Sequence, residues 1–202
     1  MYVSFADMTV GGFLDSLASS SPAPGGGAVA AVSGALGASL VAMVCSLTIG
    51  RPKYDTALAK DVRAQAEALS EDLIYAAQKD AAAFDSVIAA LDMPKDTEEH
   101  RAARSEALQA AYKDAVASPE GIAALCAEVM ALAESLLGKS NASAASDLVV
   151  AALQAYAGLL GAVENVRVNL PFIRDAEYVA AKREWMKRVS SEAGRVLASF
   201  NS

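Results

Sequence analysis

Apolar residues recur along this chain at spacings of three, four and seven, the period of helices buried on one face. Leu58, Val62, Leu69, Leu73, Phe84 and Leu91 keep that rhythm over 55–91, which predicts one long helix ending at Met93-Pro94. Thr9 is placed to cap a short helix carrying Phe13, Leu14 and Leu17, before the loop Ser19-Ser20-Ser21-Pro22-Ala23-Pro24. Gly25-Gly26-Gly27 opens an apolar helix over 28–49 that Gly50-Arg51-Pro52 ends. Further helices are predicted over 98–117, from the cap-like Ser118-Pro119 to Gly138, over 142–169 up to Pro171, and over 175–200. No run alternates with period two. The expectation is an all-α, up-and-down bundle of six or seven helices in one domain spanning 1–202, with a long buried apolar helix and strand content near zero.

The least ordinary element is the helix over 28–49, because residues 16–50 carry no charge at all. It is long enough to cross a bilayer. Half of it is Ala, Gly or Ser, however, and it lacks aromatic anchors and a cationic flank on its N-terminal side. A helix covered by protein on all sides satisfies the same pattern.

Composition sharpens this picture. Alanine fills 46 of 202 positions, which favours helix and close helix packing. Flat alanine surfaces bury little area per residue, so a homodimer is an expected source of further burial. A net charge of −7 and the absence of a basic run argue against nucleic acid as a partner. One His and two Cys cannot build a zinc site of the usual kind, so no metal is expected. Cys45 and Cys126 stand alone in apolar surroundings and read as buried thiols of a reducing cytoplasm. The start Met1-Tyr2-Val3-Ser4 has no cationic segment, so no targeting signal is expected. His100 lies in a polar segment and reads as solvated.

Some polar groups fall where apolar ones belong. Asp80 shares its helix face with Leu73, Phe84 and Val87, and a carboxylate facing a core is costly unless paired or used. On the helix over 142–169, Asp147, Ala151, Gln154, Gly158, Gly161, Asn165 and Asn169 form one polar or small stripe. Such a stripe fits either a close helix seam or a bound polar ligand. Pro24-Gly25-Gly26-Gly27 offers free amides at a helix start, suited to an anion or a carbonyl, or simply to helix entry. Arg51, Lys53 and Tyr54 follow the other end of that helix, where cations complement the helix dipole and are also the first charges after the neutral run.

Three blocks together resemble a known family: Ser21-Pro22-Ala23-Pro24-Gly25-Gly26-Gly27, Gly34-Ala35-Leu36-Gly37-Ala38, and Leu47-Thr48-Ile49-Gly50-Arg51-Pro52-Lys53-Tyr54. They are similar to the signature of the cyclodeaminase/cyclohydrolase family. Asp80-Ala81-Ala82-Ala83-Phe84, Asn141 through Asp147, and Asn165-Val166-Arg167-Val168-Asn169 match later landmarks in order, so the resemblance spans essentially the whole chain. Ala28 departs from it, since Ser or Thr is common there. The resemblance implies an all-helical homodimer with a folate substrate and no cofactor. The reaction it implies is either hydration of 5,10-methenyltetrahydrofolate to 10-formyltetrahydrofolate or closure of 5-formiminotetrahydrofolate with loss of ammonia; a non-enzymatic folate-binding or scaffold helical protein is the remaining alternative. The absence of a transferase domain from the chain favours the first.

Either reaction passes through a tetrahedral carbon between N5 and N10 and needs a carboxylate for the cationic carbon and for the proton of water. Asp147 and Asp80 are the catalytic candidates, with Lys53 as the acid. Gly25, Gly26, Gly27, Asn141 and Asn165 are candidates for the pterin edge, Tyr54 for stacking and Arg51 for the glutamate tail, with Pro24 a further substrate-binding candidate.

Overall fold

The computed structural model describes residues 5–21 and 23–201. The expectations for Met1 to Ser4, and for Pro22 within its turn, concern positions outside the described residues. Six α-helices follow one another: α1 (Val10–Leu17), α2 (Gly26–Thr48), α3 (Thr56–Leu91), α4 (Glu98–Ser135), α5 (Ala145–Asn169) and α6 (Ala176–Ala198). Short 3-10 turns sit between or beside them, and no strand occurs among the described residues. Helices α2 to α5 run up and down, each packed on its chain neighbour, and α2 closes the ring against α5. Helix α6 lies outside, against α5 and α4.

Local chemistry sets most boundaries. Thr9 caps α1 by accepting from Gly12 N at 3.0 Å, and Asp55 caps α3 by accepting from Ala57 N and Leu58 N. Gly50 and Gly138 take positive φ, at 79° and 67°, where a side chain would be strained.

One boundary differs from the sequence expectation. The chain does not restart at Ser118-Pro119, because α4 runs unbroken from Glu98 to Ser135 with Pro119 inside it. Proline in a helix interior leaves the carbonyl four residues back without its donor. That carbonyl belongs to Ala115, and it accepts instead from Asn169 Nδ2 of α5 at 3.1 Å. A tertiary partner thus makes good what the local sequence removes.

The apolar helix α2 is the central element. Ala31, Ala38, Val41, Val44 and Cys45 are inaccessible to solvent. Close approach explains its glycines: a Cβ on Gly37 would meet the Ala151 carbonyl oxygen at 2.7 Å, and one on Gly158 the Ala30 oxygen at 2.6 Å. Three segments, Gly26–Thr48, Glu98–Ser135 and Ala142–Phe172, are long and apolar enough to cross a membrane by length and composition. Of these α2 is packed by α3, α4 and α5 of its own chain. Burial pushes the thiols of Cys45 and Cys126 up to about 11 and about 12, so both stay protonated as small core residues.

Candidate active site

The N-terminal end of α2 forms the floor of a cleft of about 400 Å³, within the range of small-ligand sites. Gly25, Gly26 and Gly27 line it, with Asp80 and Phe84 from α3, Tyr112 from α4, Asn165 and Asn169 from α5, and Phe172 just beyond. Helix α2 reaches this point without a side chain because the space is taken. A Cβ on Gly27 would fall 1.8 Å from Asp80 Oδ2 and 2.4 Å from its Cγ. The Asp80 carboxyl therefore rests directly on the first turn of α2.

Asp80 is half-buried, and among the described residues no cation pairs with it. Burial raises its proton affinity above the ordinary carboxylate range, and Ser118 on α4 opposes the rise. A carboxyl in a cleft with raised proton affinity and no cation partner is suited to take and return a proton. Two amides stand beside it. Asn165 Nδ2 donates to the Gly161 carbonyl at 2.8 Å, while its Nδ2 and Oδ1 lie against the Gly26 position. Asn169 Nδ2 donates to Ala115 and Asn165 carbonyls. With both nitrogens engaged, the two Oδ1 atoms remain as acceptors for N–H groups of a ligand. Tyr112 and Phe172 stack with ring centroids 4.9 Å apart and give the cleft an aromatic wall.

The structure thus gathers Gly25, Gly26, Gly27, Asp80 and Asn165 around one cleft. Pro24 is buried beside it and faces an adjoining pocket with Ala81 and Ala82. The remaining candidates occupy the opposite end of α2, about 33 Å away for a helix of 23 residues. There Arg51 Nε donates to the Leu47 carbonyl at 2.8 Å and finishes α2. Tyr54 Oη accepts from Ala142 N. The buried Asn141 donates its backbone N–H to Thr48 Oγ1 at 2.9 Å and its side-chain Nδ2 to the Leu47 carbonyl. Lys53 is exposed, its Nζ 5.6 Å from the Tyr54 ring centre. Asp147 sits half-buried in the first turn of α5.

Sequence reasoning missed Tyr112 and Phe172 as parts of the cleft wall. Neither carries a spacing signal, because one lies in an amphipathic helix and the other in the turn after Pro171. The α5 stripe proves to have two causes: Gly158 and Gly161 are a seam against Ala30, while Asn165 and Asn169 face the cleft.

The Gly27–Asp80 contact yields a separable prediction. In Gly27→Ala the new methyl displaces the carboxyl rather than the backbone, and alanine suits a helix better than glycine. The variant is expected to keep its melting temperature within a few degrees while losing on the order of 10²-fold in turnover. Thermal melts and steady-state rates on one preparation check this.

Residues 9–188 match the family described as Formiminotransferase-cyclodeaminase. A methenyltetrahydrofolate cyclohydrolase of Methylorubrum extorquens is 44% identical over 188 residues, covering 92% of this chain and 90% of that protein. The formimidoyltransferase-cyclodeaminase of Sus scrofa is 34% identical over 90% of this chain, which spans only 34% of that longer protein. A crystal structure of a formiminotetrahydrofolate cyclodeaminase from Thermotoga maritima superposes with a TM-score of 0.81 at 27% identity, covering 97% of this chain and 93% of that one.

Proposed function

The chain belongs to the formiminotransferase-cyclodeaminase family, and on that premise we propose that it is a methenyltetrahydrofolate cyclohydrolase, hydrating 5,10-methenyltetrahydrofolate to 10-formyltetrahydrofolate in the cytoplasm. The observation that carries this reading is end-to-end similarity to a cyclohydrolase of nearly the same length. The cleft agrees with it. The methenyl carbon is cationic, and the Asp80 carboxylate is the anion available to it. Water bonds to that carbon as one of its protons passes to Asp80. The bond from the carbon to N5 then breaks, N5 takes a proton, and the hydroxyl proton leaves as the formyl group forms on N10. The Oδ1 atoms of Asn165 and Asn169 accept from the pterin, and Phe172 with Tyr112 covers its face.

Lys53 and Asp147 enter this scheme only through a homodimer. The support is geometric. Val29, Leu36, Met43 and Leu47 are exposed apolar residues on α2, the first three at heptad spacing, and Val150 and Leu153 are exposed on α5. Leu36, next to the midpoint of α2, is 53% exposed. A two-fold axis near it sets a second α2 antiparallel to the first and carries the Lys53 end of one subunit to the Asp80 end of its partner. Lys53 is then the acid for N5, and Arg51 and Tyr54 are within the same composite site.

A second reading, formiminotetrahydrofolate cyclodeaminase, is favoured by the superposition on the Thermotoga maritima structure, which shares nearly its full length with this chain. The two substrates decide. Purified protein is expected to consume 5,10-methenyltetrahydrofolate at least about 10²-fold faster than 5-formiminotetrahydrofolate, followed by methenyl absorbance and ammonia release. The opposite ratio assigns the cyclodeaminase, and consumption of neither removes the enzymatic reading.

A further inference from the structure

The break in helix-forming sequence at Ser118-Pro119 has a consequence for the cleft. Beside Ser39 and Ser70, which bond to each other between α2 and α3, several serines inside these helices bond back to their own helix: Ser46 to the Ala42 carbonyl, Ser86 to Ala82 and Ser135 to Leu132. Ser118 does not. Its Oγ is buried and has no formed hydrogen bond among the described residues. A buried hydroxyl left this way is costly unless it serves a neighbour. The group beside it is the Asp80 carboxyl. One residue on, Pro119 frees the Ala115 carbonyl that holds Asn169. Two adjacent residues of α4 therefore reach two different groups of one cleft.

We propose that Ser118 is a positioning residue of the active site, donating its hydroxyl hydrogen to the ionised Asp80 carboxylate, while Pro119 fixes Asn169 through the Ala115 carbonyl. This rests on Asp80 being the base. Neutral Asp80 has no need of the donor, whereas the carboxylate formed before water attack accepts it. Ser118 is thus engaged in the protonation state that starts the reaction.

The other titratable groups around Asp80 are few. Tyr112 of α4 shares its cleft. Asp72 and Lys79 of α3 and Asp114 of α4 line a second groove together with Ser118. Helices α2 and α5 contribute only uncharged groups to the cleft, Gly27 and the two amides among them. Burial and Ser118 are the two influences acting on the Asp80 proton, so loss of the hydroxyl leaves burial unopposed.

The experiment is the pH dependence of kcat/KM for methenyltetrahydrofolate hydrolysis in wild type, Ser118→Ala, Ser118→Cys and Ser118→Thr, with Asp80→Asn as reference and circular dichroism to confirm folding. The acid limb is expected to move up by about one pH unit in Ser118→Ala. It moves by less in Ser118→Cys, a weaker donor, and returns towards the wild-type position in Ser118→Thr. A purely structural role lowers the whole profile without moving the limb. A limb unmoved in a folded Ser118→Ala or Ser118→Cys enzyme, with Asp80→Asn inactive, overturns the proposal and leaves Asp80 as the base. A fully active Asp80→Asn enzyme overturns both.

Discussion

Asp80→Asn is expected to remove about 10²–10⁴-fold of the hydrolysis rate while making the protein more resistant to heat at neutral pH. The two effects have one origin. Burial raises the proton affinity of Asp80 in the folded chain, and no cation among the described residues offsets the charge it carries when ionised. Between the ordinary carboxylate range and that raised value the folded state binds more protons than the unfolded state. Stability therefore falls as pH rises through this window. Below it the acid and the amide are nearly equivalent, and the two proteins should melt together. Above it the amide variant carries no buried charge and should melt higher. Calorimetry across the pH range alongside rate measurements tests this. A variant that loses activity but gains no stability above the window would place Asp80 in a solvated, merely binding role. One that keeps its rate would remove it from the reaction.

Asp80 was legible in the sequence because helical phase alone puts it in line with Leu73 and Val87, both buried. What it rests on was legible too, as three glycines opening a charge-free helix. The use of Gly27 needed the fold, since the contact joins positions 53 residues apart in sequence. The helix boundaries followed local rules at Thr9, Asp55, Gly50 and Gly138. They failed at Pro119, where the same local rule gave a helix start. Asn169, 54 residues beyond the Ala115 carbonyl, supplies the donor that the rule assumes to be missing. The polar stripe of α5 mixed two signals of one period: small residues that let α2 approach, and amides that face the cleft. Periodicity reports that positions share a face and is silent on what lies opposite. For the same reason the two ends of α2 read as a single site in sequence, although a helix of 23 residues holds them about 33 Å apart.

That separation supports the second large effect, which is recovery rather than loss. Asp80→Asn and Lys53→Met are each expected to be nearly inactive as homodimers. In a dimer with antiparallel α2 helices, each site takes Asp80 from one subunit and Lys53 from the other. A heterodimer of the two variants then holds one site with both substitutions and one site with neither. Co-expression at equal levels gives half heterodimers by random pairing, so about a quarter of wild-type activity should return. Native mass spectrometry of differently tagged chains measures the heterodimer fraction, and activity should scale with it. If every site were built within one chain, each subunit of the heterodimer would still carry one lesion, and no recovery would appear at any fraction. Heterodimers without activity would therefore overturn the composite site. A fully active Lys53→Met homodimer would instead leave the dimer in place but exclude Lys53 as the acid. Leu36 supplies the structural control: Leu36→Arg puts a charge on the proposed axis of an otherwise uncharged helix, and should abolish both the dimer and the recovery while α2 keeps its own packing against α3 and α5.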